Sequence, residues 1–417
     1  MRIVHTADWH LGKTLEGRSR LEEQESFLKF FIEKCNELEP DIILHAGDIY
    51  DTPNPPAKAE ILFYDALKKL SRGGKCINIV IAGNHDSPER ISSAGPLAME
   101  HGIIMCKSLK TAVLPGKYGK HEVIDSGEGW LELAIGEERA VLIYLPYPSE
   151  KRLDEILYGE EEDEKQRQSS YSERVGEIFR NLAKHFRENS INLALSHLFL
   201  SGSESAGSER AGSLGGSFLV SANALPKEAD YIALGHIHKP QFVPGTRKKA
   251  CYSGSPIHYH KGEIGFCKKF MVFDLCIDAE KKMKGEGRIW EVDIPVFKPI
   301  RIWKAASIEE AQRLCERNAK EESWVYLEVE TERYIREHEI KEMRSCKKDI
   351  LEIRPVIGEL QGAEEGISPE SLSFGEQFVE FYKATQKLEP QKELVELLMK
   401  ILEEDENETD QAQHRGI

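Results

Sequence analysis

No stretch of this sequence approaches the roughly 18 consecutive apolar residues that a membrane-spanning helix needs, so no such helix is expected. Cysteine pairs are also missing. The eight cysteines (Cys35, Cys76, Cys106, Cys251, Cys267, Cys276, Cys315 and Cys346) are scattered without a C-x-x-C, which argues against a zinc ribbon and a disulfide framework. Met1 to His10 lacks the basic start and apolar run of a secretory leader, so cytoplasmic residence is the expectation. Positive charge is short as well. With 56 Lys and Arg against 72 Asp and Glu, the net charge is -16, the wrong sign for a chain that grips nucleic acid by its overall field. The acid is locally concentrated in Glu160 to Glu164 and Glu403 to Glu408, and a cation site would cancel further carboxylate charge. Nucleic-acid binding would therefore depend on local basic patches or on a partner.

What is present is enough chain, 417 residues, for two or three domains at the usual scale of about 100–200 residues each. The first two thirds repeat a unit in which a short apolar run ends in a polar cluster and a helical stretch follows, the pattern of stacked β-α units. Arg2 to His5 leads into ADWHLG, Asp41 to His45 into AGDIYD and Cys76 to Ile81 into AGNHD. Ile191 to Ser196 leads into His197, and Tyr231 to Leu234 into GHIH. Ligands collect beyond the carboxyl ends of strands in α/β sheets, so these five clusters are expected to converge on one site. The Ser/Gly-rich stretch Ser201 to Gly216 reads either as a mobile loop bordering that site or as a surface linker.

After Asp274 the pattern changes to three strands (Lys298 to Lys304, Trp324 to Thr331, Ile350 to Ile357) with helices at Ser307 to Glu321 and near Ile335 to Ser345, a small α+β domain. Two amphipathic helices follow within Ser368 to Glu404, one striped by Phe374, Phe378, Phe381 and Tyr382, the other by Leu394, Leu397, Leu398, Ile401 and Leu402. The expected division is 1–278, 279–365, 366–404 and a polar tail at 405–417.

Asp8 and His10 stand two residues apart at a strand end, where an extended chain turns both to one side, and His236 and His238 repeat the spacing. With Asp48, Asn84 and His197 they make seven candidate ligands, which suits two ions with Asp48 as the natural bridge. Paired ions acidify a water and hold phosphate oxygens, so phosphate ester hydrolysis is the natural reaction. Imidazole, carboxylate and amide together suit Mn, Fe or Zn better than calcium, and manganese is the expectation. His85 follows Asn84 and is expected to point away from the ions and protonate the leaving oxygen. Either Asp51 or Asp86 is a candidate to orient it. A lone D-x-H or H-x-H is more often a turn cap or a satisfied buried pair, and it is the ordered set of five that carries the inference.

That ordered set, D-x-H, G-D-x-x-D, G-N-H-D, a lone His and G-H-x-H, resembles the calcineurin-like metallophosphoesterase superfamily, whose fold is a β-sandwich flanked by helices. HTADWHLGKTLEGRSRLEEQ, HAGDIYDTPNPP, AGNHDSPER, ADYIALGHIHKPQ and YSGSPI narrow the resemblance to its SbcD family of nuclease subunits. The resemblance implies a first metal on Asp8, His10, Asp48 and His238, a second on Asp48, Asn84, His197 and His236, and His85 as the catalytic histidine. It further implies manganese, a capping domain, and C-terminal helices that dock on the coiled-coil base of an SbcC-type ATPase. Such subunits act in repair, replication and recombination on double-stranded DNA ends and hairpins, as a homodimer within a heterotetramer. Arg247, Lys248, Lys249, Lys268, Lys269, Lys341, Arg344, Lys347 and Lys348 are the basic candidates for the DNA backbone, although charge runs are usually solvated faces.

Alternatives are a small-molecule or cyclic-nucleotide phosphodiesterase of the same superfamily and a non-catalytic scaffold subunit. Thr52, Pro53 and Asn54 follow Asp51 where phosphoprotein phosphatases carry Arg-Gly, which speaks against that class.

Overall fold

A computed structural model describes residues 1–153, 164–207, 219–278, 283–284, 287–356, 374–386 and 390–400. It divides into two compact units, Met1–Phe297 and Lys298–Ile417. The expected tail at 405–417, residues 208–216 of the Ser/Gly-rich stretch, and Ile401 and Leu402 lie outside the described residues.

In the first unit two sheets face each other. One has six strands in the order Arg288–Ile294, Lys268–Asp274, Arg2–Thr6, Ile42–His45, Ile77–Ile81 and Ile103–Cys106, the last four in parallel. The other has eight, with Glu138–Leu145, Ile191–His197, Tyr231–Gly235 and Ala250–Tyr252 in parallel at its centre. Strand periodicity sorts the side chains. Ile3, Ile42, Leu44, Ile77, Ile79 and Ile81 meet Leu131, Leu142, Leu193 and Tyr231 between the sheets. Val4, Ile43 and Val80 point outward against helices Leu21–Leu38 and Ala57–Leu70. Helix Glu164–Ala183 covers the other outer face through Tyr171, Val175 and Phe179. The sandwich flanked by helices is therefore the fold, and the buried strand runs read as continuous apolar sequence because both faces are covered.

Helix Leu21–Leu38 shows the local logic. Phe27, Phe31 and Cys35 recur at four-residue spacing on its buried face. It stops before Pro40, with Glu39 in a left-handed cap whose N–H returns to the Cys35 carbonyl at 3.0 Å. Burying one such phenylalanine contributes roughly 1.5–3 kcal/mol, and Phe31→Ala would open a cavity costing about 3–5 kcal/mol.

The strand Arg288–Ile294 lies beyond residue 278 in sequence yet forms the edge of the six-stranded sheet, in register with Lys268–Asp274. In the second unit, strands Ile300–Ala305, Trp324–Glu330 and Ile350–Val356 pair in parallel, linked by helices Ile308–Arg317 and Glu337–Cys346 over a core of Val325, Leu327, Ile340 and Met343. Helix Phe374–Gln386 and a helix over 392–400 follow. Among the described residues no helix is long and apolar enough to cross a membrane.

Candidate metal centre

All five motif clusters meet at one end of the sandwich. Three follow parallel strands of the six-stranded sheet: Asp8 and His10 after Arg2–Thr6, Asp48 and Asp51 after Ile42–His45, and Asn84 to Asp86 after Ile77–Ile81. The opposing sheet contributes His197 at the end of Ile191–His197, and His236 and His238 after Tyr231–Gly235. Neighbouring loops extend the ladder beyond the strands, since the N–H groups of Asp8, His10 and Leu11 donate to Gly47, Asp48 and Ile49 at 3.0, 2.9 and 2.8 Å.

The backbone here is not extended, contrary to what the two-residue spacing alone suggests. Asp8, His10, Asp48 and His236 adopt φ of 53°, 44°, 50° and 100°. Left-handed backbone at a non-glycine residue costs of order 1–3 kcal/mol, so the surrounding structure must hold these four in place. Two glycines make the crowding possible. A Cβ on Gly83 would lie 2.1 Å from Asp48 Oδ1, and one on Gly235 would lie 1.9 Å from the Ala46 carbonyl oxygen. The glycines before Asn84 and His236 are thus required by the close approach of a neighbouring loop.

Six of the seven expected ligands are tied by short contacts. His10 Nε2 lies 3.0 Å from His238 Nε2 and 3.6 Å from Asp48 Oδ2. His197 Nε2 lies 3.4 Å from Asp48 Oδ2 and 3.0 Å from Asn84 Oδ1, and His236 Nδ1 meets the same amide oxygen at 2.9 Å. Asp8 Oδ1 accepts from the His236 N–H at 2.9 Å and lies 3.9 Å from His197 Nδ1, which brings in the seventh. Asp8, His10 and His238 form one triad, and Asp8, Asp48 and His197 another, with ligand atoms within 4.8 Å of one another in each. Asp8 belongs to both, and the Asp48 carboxylate stands between His10 and His197.

These residues fit metal ions. Asp8 Oδ2 is buried without a hydrogen-bond partner among the described residues, and two imidazole nitrogens facing each other at 3.0 Å need a shared proton or a shared cation. Burial pushes His10 and His236 down to about 3, leaving neutral rings whose lone pairs can bind a cation. Burial also raises Asp8 to about 7. For Asp48 burial opposes ionisation, yet His197 and His10 outweigh it and hold the carboxyl well below its usual range. His197 goes the other way, up to about 9, because Asp48 and Asp8 override burial. A protonated His197 and a ligating His197 are incompatible. The proton answers the two carboxylates' demand for positive charge, which a divalent ion would meet instead.

His85 stands at the edge. Its Nδ1 donates to the backbone carbonyl of Asp51 at 2.7 Å, and its backbone N–H donates to Asp48 Oδ1 at 2.8 Å. Neither expected carboxylate bonds its ring. The Asp51 carboxylate lies 3.8 Å from His85 Nδ1, and instead faces Lys13 Nζ at 2.7 Å and His10 Nδ1 at 3.5 Å. The Asp86 carboxylate accepts from the N–H groups of Ile49, Tyr50 and Gly83 at 3.1, 2.9 and 2.9 Å, knitting the two loops together.

Sequence reasoning missed the residues that brace the centre. The Arg152 guanidinium, on the short helix Glu150–Leu153, donates to the carbonyls of Gly83 and Asp86 at 2.6 and 2.7 Å, on either side of Asn84 and His85. The Tyr147 ring lies nearly parallel to His236, 6.2 Å away. Gln24 donates to the His10 carbonyl at 2.7 Å and accepts from Gly12 N–H at 2.9 Å. Only helix position and tertiary approach would have revealed them. Two basic candidates for DNA contact are corrected. Lys268 and Lys347 are each 1% exposed, Lys268 on Glu263 and Lys347 on the Glu321 carbonyl and Asp349. Lys269 is paired with Glu291.

The calcineurin-like phosphoesterase family model matches residues 1–240, and a second, described as a type 5 capsule protein repressor C-terminal domain (SbcD_C), matches residues 296–386. The chain is 38% identical over 404 residues to the SbcD subunit of the SbcCD nuclease from Bacillus subtilis (strain 168), covering 96% of this chain and 97% of that protein. Among solved structures, a dimetal phosphatase from Danio rerio aligns with 71% of this chain and 99% of its own at 11% identity and a TM-score of 0.34. A hypothetical protein from Thermus thermophilus aligns with 71% of this chain and 100% of its own at 12% identity and a TM-score of 0.34. The chain accordingly belongs to the calcineurin-like phosphoesterase family, and within it to the SbcD nuclease subunits, as a metal-dependent phosphodiesterase.

Proposed function

We propose that this chain is a DNA nuclease that hydrolyses phosphodiester bonds at a dinuclear centre, working on double-strand ends and hairpins beside an SbcC-type ATPase. The observation that carries the reading is the convergence of Asp8, His10, Asp48, Asn84, His197, His236 and His238 on one point, with His85 close to the Asp48 carboxylate but turned onto a backbone carbonyl. Asp8, His10, Asp48 and His238 would hold one ion, and Asp48, Asn84, His197 and His236 the other, with manganese favoured by the mixed donor set. Bound ions supply Lewis acidity toward phosphate oxygens and a more acidic water.

The chain's own residues do the rest. Neutral His10 and His236 offer lone pairs, and Asp48 stays ionised between His10 and His197. The bond from His85 Nδ1 to the Asp51 carbonyl fixes the tautomer, so Nε2 is the atom that exchanges a proton with the leaving oxygen. Loops from two sheets hold the cluster, so orientation is set before substrate arrives.

The C-terminal helices support a docking role. Phe381, Leu397 and Met399 are 65%, 54% and 39% exposed, and Met399 Sδ packs 3.5 Å from where a Gly375 Cβ would stand, so the two helices lie together with apolar surface outward. That surface suits the coiled-coil base of the ATPase, with two nuclease and two ATPase subunits in the assembly. A cavity of about 630 Å³ walled by Ser87, Lys107, Tyr147 and Arg152 lies beside the loop that carries Asn84 and His85. Digestion of end-labelled duplex and hairpin DNA with manganese, with and without the ATPase and ATP, tests the proposal. Release of short labelled products supports it. Hydrolysis of cyclic nucleotides with DNA left intact in every combination contradicts it.

A further inference from the structure

The YSGSPI segment is not absorbed by the seven ligands, yet it lies directly behind one of them. Gly254 has φ of +77°, and a Cβ there would stand 2.6 Å from the carbonyl oxygen of His238. The Ser255 N–H donates to that same carbonyl at 3.2 Å. Ser255 Oγ accepts from Lys268 Nζ at 2.7 Å, and Lys268 also donates to the His238 carbonyl at 3.1 Å and to the Glu263 carboxylate. The other oxygen of Glu263 lies 3.5 Å from His238 Nδ1. Across the ring, His238 Nε2 faces His10 Nε2 at 3.0 Å. Glu263 and Lys268 are both essentially inaccessible, at 0% and 1% exposure.

A buried ion pair is weak evidence for stability, because well-packed apolar residues of the same volume do as well or better. What this pair supplies is a carboxylate at a defined position behind an imidazole. A histidine that binds a metal through one nitrogen is oriented by the acceptor on its other nitrogen, which also fixes the tautomer.

We propose that Glu263, held by Lys268 and the YSGSPI turn, is a positioning residue that accepts the Nδ1–H of His238 and so commits Nε2 as the unprotonated nitrogen facing the metal centre. The inference rests on His238 being a ligand, and its test separates the two ideas. Long-range proton–nitrogen NMR on the metal-free full chain, with the His238 signals identified by comparison with His238→Gln, reads the tautomer without any ion or activity. The Nδ1–H form is expected in the parent protein, with the Nε2–H form rising in Glu263→Gln. Manganese titration by calorimetry should then show about ten- to a hundredfold weaker binding at one site in Glu263→Gln, partly recovered in Glu263→Asp. An Nε2–H tautomer in the parent protein overturns the proposal whether or not the variants fold. So does a folded Glu263→Gln with the parent's tautomer and manganese affinity. If the parent itself binds no manganese, the metal reading fails instead.

Discussion

His10 and His238, 228 positions apart in sequence, bring their Nε2 atoms to 3.0 Å of each other at the junction of the two sheets. Neither ring has reason to approach the other in water, and the burial that keeps His10 neutral removes any charge attraction. In the proposed function a shared cation accounts for the pairing. Replacing either by alanine is expected to remove one of two manganese binding events in a calorimetric titration, while the fold, followed by circular dichroism, persists. Two unchanged binding events would show that these rings serve packing alone.

His85 carries a different expectation, because its ring bonds the Asp51 carbonyl and not a ligand. His85→Ala should retain the metal content of the parent protein and lose about 10²- to 10⁴-fold in turnover of a phosphodiester reporter. Full activity with metals bound would remove the role given to this residue.

The glycines of the motifs make a steric prediction. In Gly235→Ala the new methyl would overlap the Ala46 carbonyl, to which His197 Nδ1 is bonded at 2.8 Å. A loss of about 1–3 kcal/mol or more in urea unfolding is expected, together with weaker metal binding, since relief of the overlap must move His197. Gly73→Ala is the control. Its Cβ would meet nothing within 4 Å, so only the modest strain of its positive φ of +67° applies and metal binding should not change.

In the second unit, Arg333 hydrogen bonds hold Glu339 down to about 2 from an ordinary 4.5. A depressed carboxylate stabilises the fold above its unfolded value and loses that contribution as pH falls through the folded one. Stability of the second unit, followed by hydrogen exchange along Trp324–Glu330, should therefore fall between about 4.5 and about 2. Glu339→Gln should begin weaker at neutral pH and show a shallower acid decline. An identical acid profile in the variant would rule the pair out as its cause.

Deleting residues 368–417 should leave the first unit folded and abolish capture by the ATPase in a pull-down. Unaltered capture would assign docking elsewhere.

Much of the centre was legible because strand-end motifs obey local rules: an apolar run and then a polar side chain, with a glycine between them before Asp48, Asn84 and His236. The ordered ligand set follows from that pattern, whereas the pairing of two sheets came only with the family resemblance that the set carries. The bracing residues follow from neither. Glu263 sits in an unremarkable polar stretch, and Lys268 beside Lys269 reads as a solvated charge run until the chain buries one and leaves the other at the surface. Arg152 acts on Gly83 and Asp86 through backbone carbonyls, which carry no sequence signature. The Asp86 carboxylate, one of two candidates to orient the His85 ring, instead satisfies three amides, a distinction set by loop geometry that residue type cannot encode. The edge strand Arg288–Ile294 escaped the reading for a similar reason: exposed on alternate residues, it lacks the continuous apolar run of its buried neighbours.

The central claim, that seven residues from five loops hold two ions, is tested most directly by anomalous diffraction from crystals of the full chain grown with manganese. Two peaks about 3.5–4 Å apart are predicted, one against Asp8, His10 and His238 and one against Asn84, His197 and His236, with Asp48 between them. A single peak, or none within this cluster while manganese is bound elsewhere, would contradict the account.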